Sequence, residues 1–80
     1  MKQVGKCITG DPIQINNLTR DWETVRLHPL VFYRRIDDFL DGLKTAKGLH
    51  ATVDMGQFVL IRFLEKDDLT AFYRRHHEYV

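Results

Sequence analysis

The run Phe58-Val59-Leu60-Ile61-Arg62-Phe63-Leu64 contains a single polar side chain, Arg62. A strand with one wet face alternates apolar and polar positions, so this run requires a strand covered on both sides or seated at a sheet centre. It is far short of the roughly 20 residues needed to span a bilayer. The preceding run, Leu49-His50-Ala51-Thr52-Val53-Asp54-Met55, is also β-prone, and Gly56-Gln57 between them reads as the turn of a hairpin. The rest of the chain must supply cover for that hairpin.

Two helices can do so. From Pro29 the apolar positions Phe32, Ile36, Phe39, Leu40 and Leu43 recur at helical spacing, and Pro29 suits a first helical position because its missing N–H would be unpaired there anyway. This helix is expected to end at Gly48. A last helix, capped by Asp67 or Asp68, places Leu69, Phe72, Tyr73 and His76 on one face and Arg74, Arg75 and Glu78 opposite, and is expected to run to Val80. Nearer the N-terminus, Val4, Ile8, Ile13 and Ile15 are interrupted by Thr9-Gly10-Asp11-Pro12, which reads as the turn of a first hairpin. The stretch from Thr19 to His28 carries both periods. Leu18, Trp22 and Val25 are spaced as on a helix while Glu23 to Leu27 alternates as a strand, and the reading leans to a helical turn capped by Thr19.

Phe32-Tyr33-Arg34-Arg35 recurs forty residues later as Phe72-Tyr73-Arg74-Arg75. If this is a duplication, each half is a hairpin followed by a helix, and two ββα units build a four-stranded antiparallel sheet with helices over one face. The plainer account is that Phe-Tyr-Arg-Arg makes good amphipathic helix.

Charge and composition narrow the chemistry. Lys and Arg number 12 against 11 Asp and Glu, for a formal charge of +1, which removes the global electrostatic footprint of a dedicated nucleic-acid binder and leaves only local patches. The chain lacks serine, which excludes serine-nucleophile hydrolysis. Cys7 is the single cysteine and no histidine is tied to it in sequence, so neither a disulfide within the chain nor a thiolate nucleophile is supported. His28, His50 and the adjacent pair His76-His77 lack metal-ligand spacing, and no metal or other cofactor is expected. His76 lies on the apolar stripe and is expected to be a neutral, hydrogen-bonded histidine at the core edge. The carboxylates Asp37, Asp38 and Asp41 fall on a solvated helix face, and Glu65, Asp67 and Asp68 at a helix start, where negative charge is favoured for structural reasons. The glycines show neither Walker nor Rossmann spacing. With no long apolar leader after Met1, the expected compartment is the cytoplasm.

The strand from Gly56 to Phe63 followed by the helix through Phe72 resembles the third strand and second helix of an RNA-recognition motif. It is also similar to the strand and helix of small dimeric α+β barrel proteins, whose helix often carries a tyrosine and a nearby histidine, here Tyr73 and His76. These likenesses cover about a third of the chain and imply a ferredoxin-like arrangement without implying an activity. The RNA-binding family would place stacking aromatics on alternate strand positions, where this chain has Gln57, Val59 and Ile61.

The sequence therefore predicts one α+β domain over residues 1–80: a four-stranded, mainly antiparallel sheet of two hairpins with two main helices on one face, ferredoxin-like or a ββα repeat. The function expected is non-enzymatic: a small adaptor, regulator or inhibitor that docks on another protein through Tyr33, Arg34, Arg35, Tyr73, Arg74 and Arg75, since Tyr and Arg dominate binding hot spots. Homodimerisation would help so small a core. The runner-up is a nucleic-acid binder using Arg34/Arg35 and Arg74/Arg75. A third reading is a dimeric barrel holding a small ligand near Tyr73 and His76.

Overall fold

The structure, a computed structural model, describes the backbone of residues 2–78 and the side chains of residues 5–78. In chain order the elements are β1 (Lys2–Val4), β2 (Cys7–Thr9), α1 (Pro12–Thr19), β3 (Glu23–Leu27), α2 (Pro29–Arg34), α3 (Ile36–Lys44), β4 (His50–Asp54), β5 (Val59–Phe63) and α4 (Lys66–Arg75). The domain is α+β, with its strands in one sheet in the order β1-β2-β4-β5-β3. No helix among the described residues is long and apolar enough to cross a membrane.

The apolar run occupies the place it requires. All five residues of β5 are buried, between β4 and β3, and β4 and β5 form the expected hairpin with His50 opposite Phe63 and Asp54 opposite Val59. Gly56 turns the hairpin at φ +86°, a conformation that side chains other than glycine's disfavour.

The sheet is mainly antiparallel and contains two hairpins, but a parallel pair joins them and β3 adds a fifth strand to the four expected. β2 pairs in parallel with β4, with Cys7 opposite His50 and Ile8 opposite Ala51, while the other pairs are antiparallel. The first hairpin is shorter and earlier than expected, joining β1 to β2. Thr9-Gly10-Asp11-Pro12 is the entry to α1: the Asp11 carboxylate accepts the N–H groups of Ile13 (2.8 Å) and Gln14 (3.4 Å), and Pro12 takes the first helical position. The residues that make a turn are also those that start a helix.

The region from Glu23 to Leu27 is a strand, not the expected helical turn. Val25 and Leu27 point into the core while Glu23, Thr24 and Arg26 are exposed, and all five residues pair with β5. Thr19 closes α1, donating its hydroxyl to the Ile15 carbonyl at 2.7 Å, and caps no following helix. The helix from Pro29 starts as expected, with His28 Nδ1 accepting the Leu30 N–H at 3.1 Å, but breaks at Arg35 (φ −123°, ψ 32°), restarts as α3 and ends at Lys44, short of Gly48. α4 begins at Lys66 after Glu65. Asp68 is its buried carboxylate, and it accepts the N–H groups of Lys47 (2.9 Å) and Gly48 (2.8 Å), fastening the loop before β4. The expected end of this helix at Val80 lies outside the described residues.

Helices cover both faces, where the sequence reading placed them on one. Val25, Leu27, Val59, Ile61 and Phe63 pack against Phe32, Phe39, Leu43 and Phe72 from α2, α3 and α4. On the other face Ile8, Ala51, Val53 and Leu60 pack against Ile15 of α1. The reason is the central run itself: its odd positions need one layer and its even positions another. A ferredoxin-like unit or a pair of ββα repeats would leave one face bare. The halves accordingly differ, since α1, β3 and α2 stand between the first hairpin and the end of the first Phe-Tyr-Arg-Arg run, whereas the second hairpin leads directly into α4.

Candidate functional site

The two Phe-Tyr-Arg-Arg segments share a local arrangement. Phe32 and Phe72 are both 3% exposed, Tyr33 and Tyr73 are half exposed, and Arg34, Arg35, Arg74 and Arg75 face solvent. Helical geometry accounts for this, because successive side chains point about 100° apart and an anchored phenylalanine turns its neighbours outward. A ladder of rings runs from Tyr33 through Phe32 and Phe39 to Phe72, with centroids 5.1, 5.7 and 5.9 Å apart, so α3 stands between the two segments.

Each patch is partly engaged by the protein itself. The Tyr33 hydroxyl donates to the Asp54 carboxylate at the end of β4, which pushes the phenol's pKa up and the carboxyl's down. The Arg75 guanidinium lies 3.9 Å from Asp38, with both side chains about half exposed, a geometry that contributes little to stability. One turn before Tyr33 stands a further exposed apolar side chain, Leu30 at 68%.

His76 is more deeply placed than the sequence suggests. It is 0% exposed, held between Phe39 (4.7 Å) and Phe72 (4.6 Å), and neither ring nitrogen makes a hydrogen bond among the described residues, where a hydrogen-bonded ring was expected. Its Nδ1 stands 3.5 Å from Asp38. Burial pushes its pKa down, opposed by Asp38 and assisted by Arg75. The ring itself therefore presents no surface to a ligand, while Tyr73 on the same helix is half exposed.

The cavity with chemical character lies elsewhere, between α3 and the neighbouring strands β2 and β4. It measures about 490 Å³ and is lined by Lys6, Cys7, Leu40, Leu43, Lys44, Ala46, His50 and Thr52. The parallel pairing of β2 with β4 creates it, because Ile8 and Ala51 enter the core under α1, leaving Cys7 and His50 on the opposite face. His50 is 8% exposed and its Nδ1 has no hydrogen-bond partner among the described residues. Burial lowers its pKa against a smaller opposing effect of Asp68, and burial raises that of the Cys7 thiol. Both groups are therefore neutral near pH 7, and the pair is not a thiolate and imidazolium. The Lys6 ammonium donates to the Ala46 carbonyl at 3.4 Å, and Lys44 pairs with Asp41 at 3.5 Å on the exposed side.

The sequence reading missed this cleft. A Lys-Cys step near the N-terminus and a histidine 43 residues after the cysteine carry no local signal of contact; only the strand pairing brings them together. Among the described residues no group of three His, Cys, Asp or Glu side chains is placed to hold a metal ion. Comparison of the chain with protein-family models, with curated proteins and with solved structures finds no match.

Proposed function

We propose that this protein is a small non-enzymatic binding module that docks on another protein through Tyr33, Arg34, Arg35, Tyr73, Arg74 and Arg75. The observation that carries the reading is the outward display on α2 and at its end: Tyr33, Arg34 and Arg35 are exposed, with exposed Leu30 one turn earlier, an apolar surface edged by guanidinium groups. Aromatic and arginine side chains around exposed apolar area are the composition of interface hot spots. Asp37, Asp38 and Asp41 follow directly on α3, and Asp54 holds Tyr33, so the arginines sit among carboxylates. Such mixed charge suits a protein surface better than a phosphate backbone. A cytoplasmic setting and self-association of the chain belong to the same proposal.

The test is affinity capture from the native host's lysate with mass spectrometry, together with a light-scattering mass of the free protein. Tyr33→Ala, Arg34→Glu and Arg74→Glu, each checked for fold by circular dichroism, are expected to lose a stoichiometric partner that Asp21→Lys retains. Retention of that partner by all three would defeat the proposal. Binding to single-stranded or duplex nucleic acid that weakens steeply with salt would transfer the arginines to the runner-up reading.

A further inference from the structure

We propose that the cleft between α3 and strands β2 and β4 binds a small organic carboxylate whose apolar body carries a hydroxyl group. The site is separate from the docking surface. Its volume of about 490 Å³ lies inside the range of roughly 300–1,000 Å³ typical of small-molecule sites. Leu40, Leu43 and Ala46 give one wall, from α3 and the turn after it, and Cys7, His50 and Thr52 give the other, from the strands. These walls favour an apolar body. At the solvent side stand two ammonium groups, Lys6 and Lys44, both exposed. Lys6 is spent on a long bond to a carbonyl, and Lys44 on an exposed partner one turn away. A carboxylate at the rim meets both cations at little cost, because neither must leave a strong interaction.

The hydroxyl follows from His50. Its ring is more than nine-tenths buried and lines the cleft, and Nδ1, itself closed to solvent, has no hydrogen-bond partner among the described residues, so a ligand meets it through a turn of the ring about χ2. A buried polar atom without a partner is costly, and a ligand that supplies one recovers that cost on binding. The ring is neutral, so the complementary group is a neutral one able to donate or accept, which a hydroxyl does with either tautomer. The half-buried Cys7 thiol on the neighbouring strand reports occupancy, being the single cysteine of the chain.

The experiment needs no variant for its main arm. The wild-type protein is titrated with 3-(4-hydroxyphenyl)propionate, with 3-phenylpropionate, which lacks the hydroxyl, and with 3-(4-hydroxyphenyl)propionamide, which lacks the charge. Amide chemical shifts and the rate of Cys7 alkylation by N-ethylmaleimide are followed. Expected is saturable binding of the hydroxy acid, shifts at Cys7, Leu43, His50 and Thr52, and slowing of alkylation by about tenfold at saturation. Removing the hydroxyl or the charge each weakens binding by about fivefold, the size of one hydrogen bond or one partly exposed ion pair. Lys44→Gln, fold-checked by thermal melting, weakens the acid and leaves the amide unchanged. Absence of saturation, shifts confined to α2, equal affinity of acid and amide, or unchanged alkylation of the saturated protein would each overturn the proposal. So would alkylation that slows with protein concentration alone, which would assign the cleft to a second copy of the chain.

Discussion

Replacing Gly42 by alanine is expected to destabilise this protein, against the ordinary rule for a helix interior. Gly42 lies within α3, where alanine normally gains about 1 kcal/mol over glycine. Here a Cβ would stand 2.5 Å from His76 Nε2, 3.3 Å from Arg75 Cδ and 3.4 Å from His76 Cδ2. The arginine end can swing into solvent, but the imidazole cannot. It is 0% exposed and flanked at 4.6 and 4.7 Å by Phe72 and Phe39, which pack against the sheet. Relieving the overlap means displacing that stack, a form of overpacking that costs about 1–3 kcal/mol. Set against the helix gain, the net loss is about 0–2 kcal/mol, centred near 1, out of the roughly 4–12 kcal/mol available to a domain of this length. Urea unfolding followed by far-UV circular dichroism measures it as a lower midpoint with unchanged slope. The cycle with His76→Ala isolates the cause. In that background Gly42→Ala is expected to become neutral or stabilising by up to about 1 kcal/mol, a coupling of about 2 kcal/mol. If Gly42→Ala stabilises the wild-type chain, or couples to His76→Ala by less than about 0.5 kcal/mol, the close packing of α3 on the imidazole is not what limits position 42.

The two buried histidines set a pH dependence. His50 and His76 are both held below the ordinary value of 6.5, so the unfolded chain takes up protons that the folded one refuses. Stability is therefore flat above about pH 6.5 and declines as the pH falls below it, before the carboxylates titrate; urea midpoints across this range test the slope, which His76→Phe is expected to reduce. Arg62 gives a sharper contrast. It is 8% exposed, donates to the Asn16 carbonyl (2.9 Å), Asn16 Oδ1 (2.6 Å) and Thr24 (3.2 Å), and has no carboxylate within ion-pair distance among the described residues. Arg62→Met removes a buried charge whereas Arg62→Lys keeps it and loses the fork, so the methionine variant is expected to melt higher than the lysine variant by about 1 kcal/mol in equivalent stability. The reverse order would mean the charge itself is useful there.

Burial at the centre of a sheet is legible in the chain because it demands apolar residues at consecutive positions, and Val59 to Phe63 meet that demand whatever surrounds them. Its hairpin with β4, the start of α2 at Pro29 and the inward phenylalanines of both Phe-Tyr-Arg-Arg segments follow from local geometry in the same way. Exposure of the arginines beside those phenylalanines was equally legible, whereas Tyr73, grouped with the apolar face by its spacing, is half exposed. What these side chains touch was not legible: Asp54 and Asp38 come to Tyr33 and Arg75 from separate elements.

The remaining choices were made by contacts between distant segments. Asp11 and Pro12 serve a turn or a helix start equally well, and Glu23 to Leu27 carries two periods at once; pairing with β5 settled the second. The parallel alignment of β2 with β4 leaves no mark on either strand, because registry between strands is decided by which side chains can be buried together. From it comes the meeting of Cys7 with His50 under α3. Sequence determined which segments must be dry; only the assembled sheet decided which polar groups would be enclosed with them.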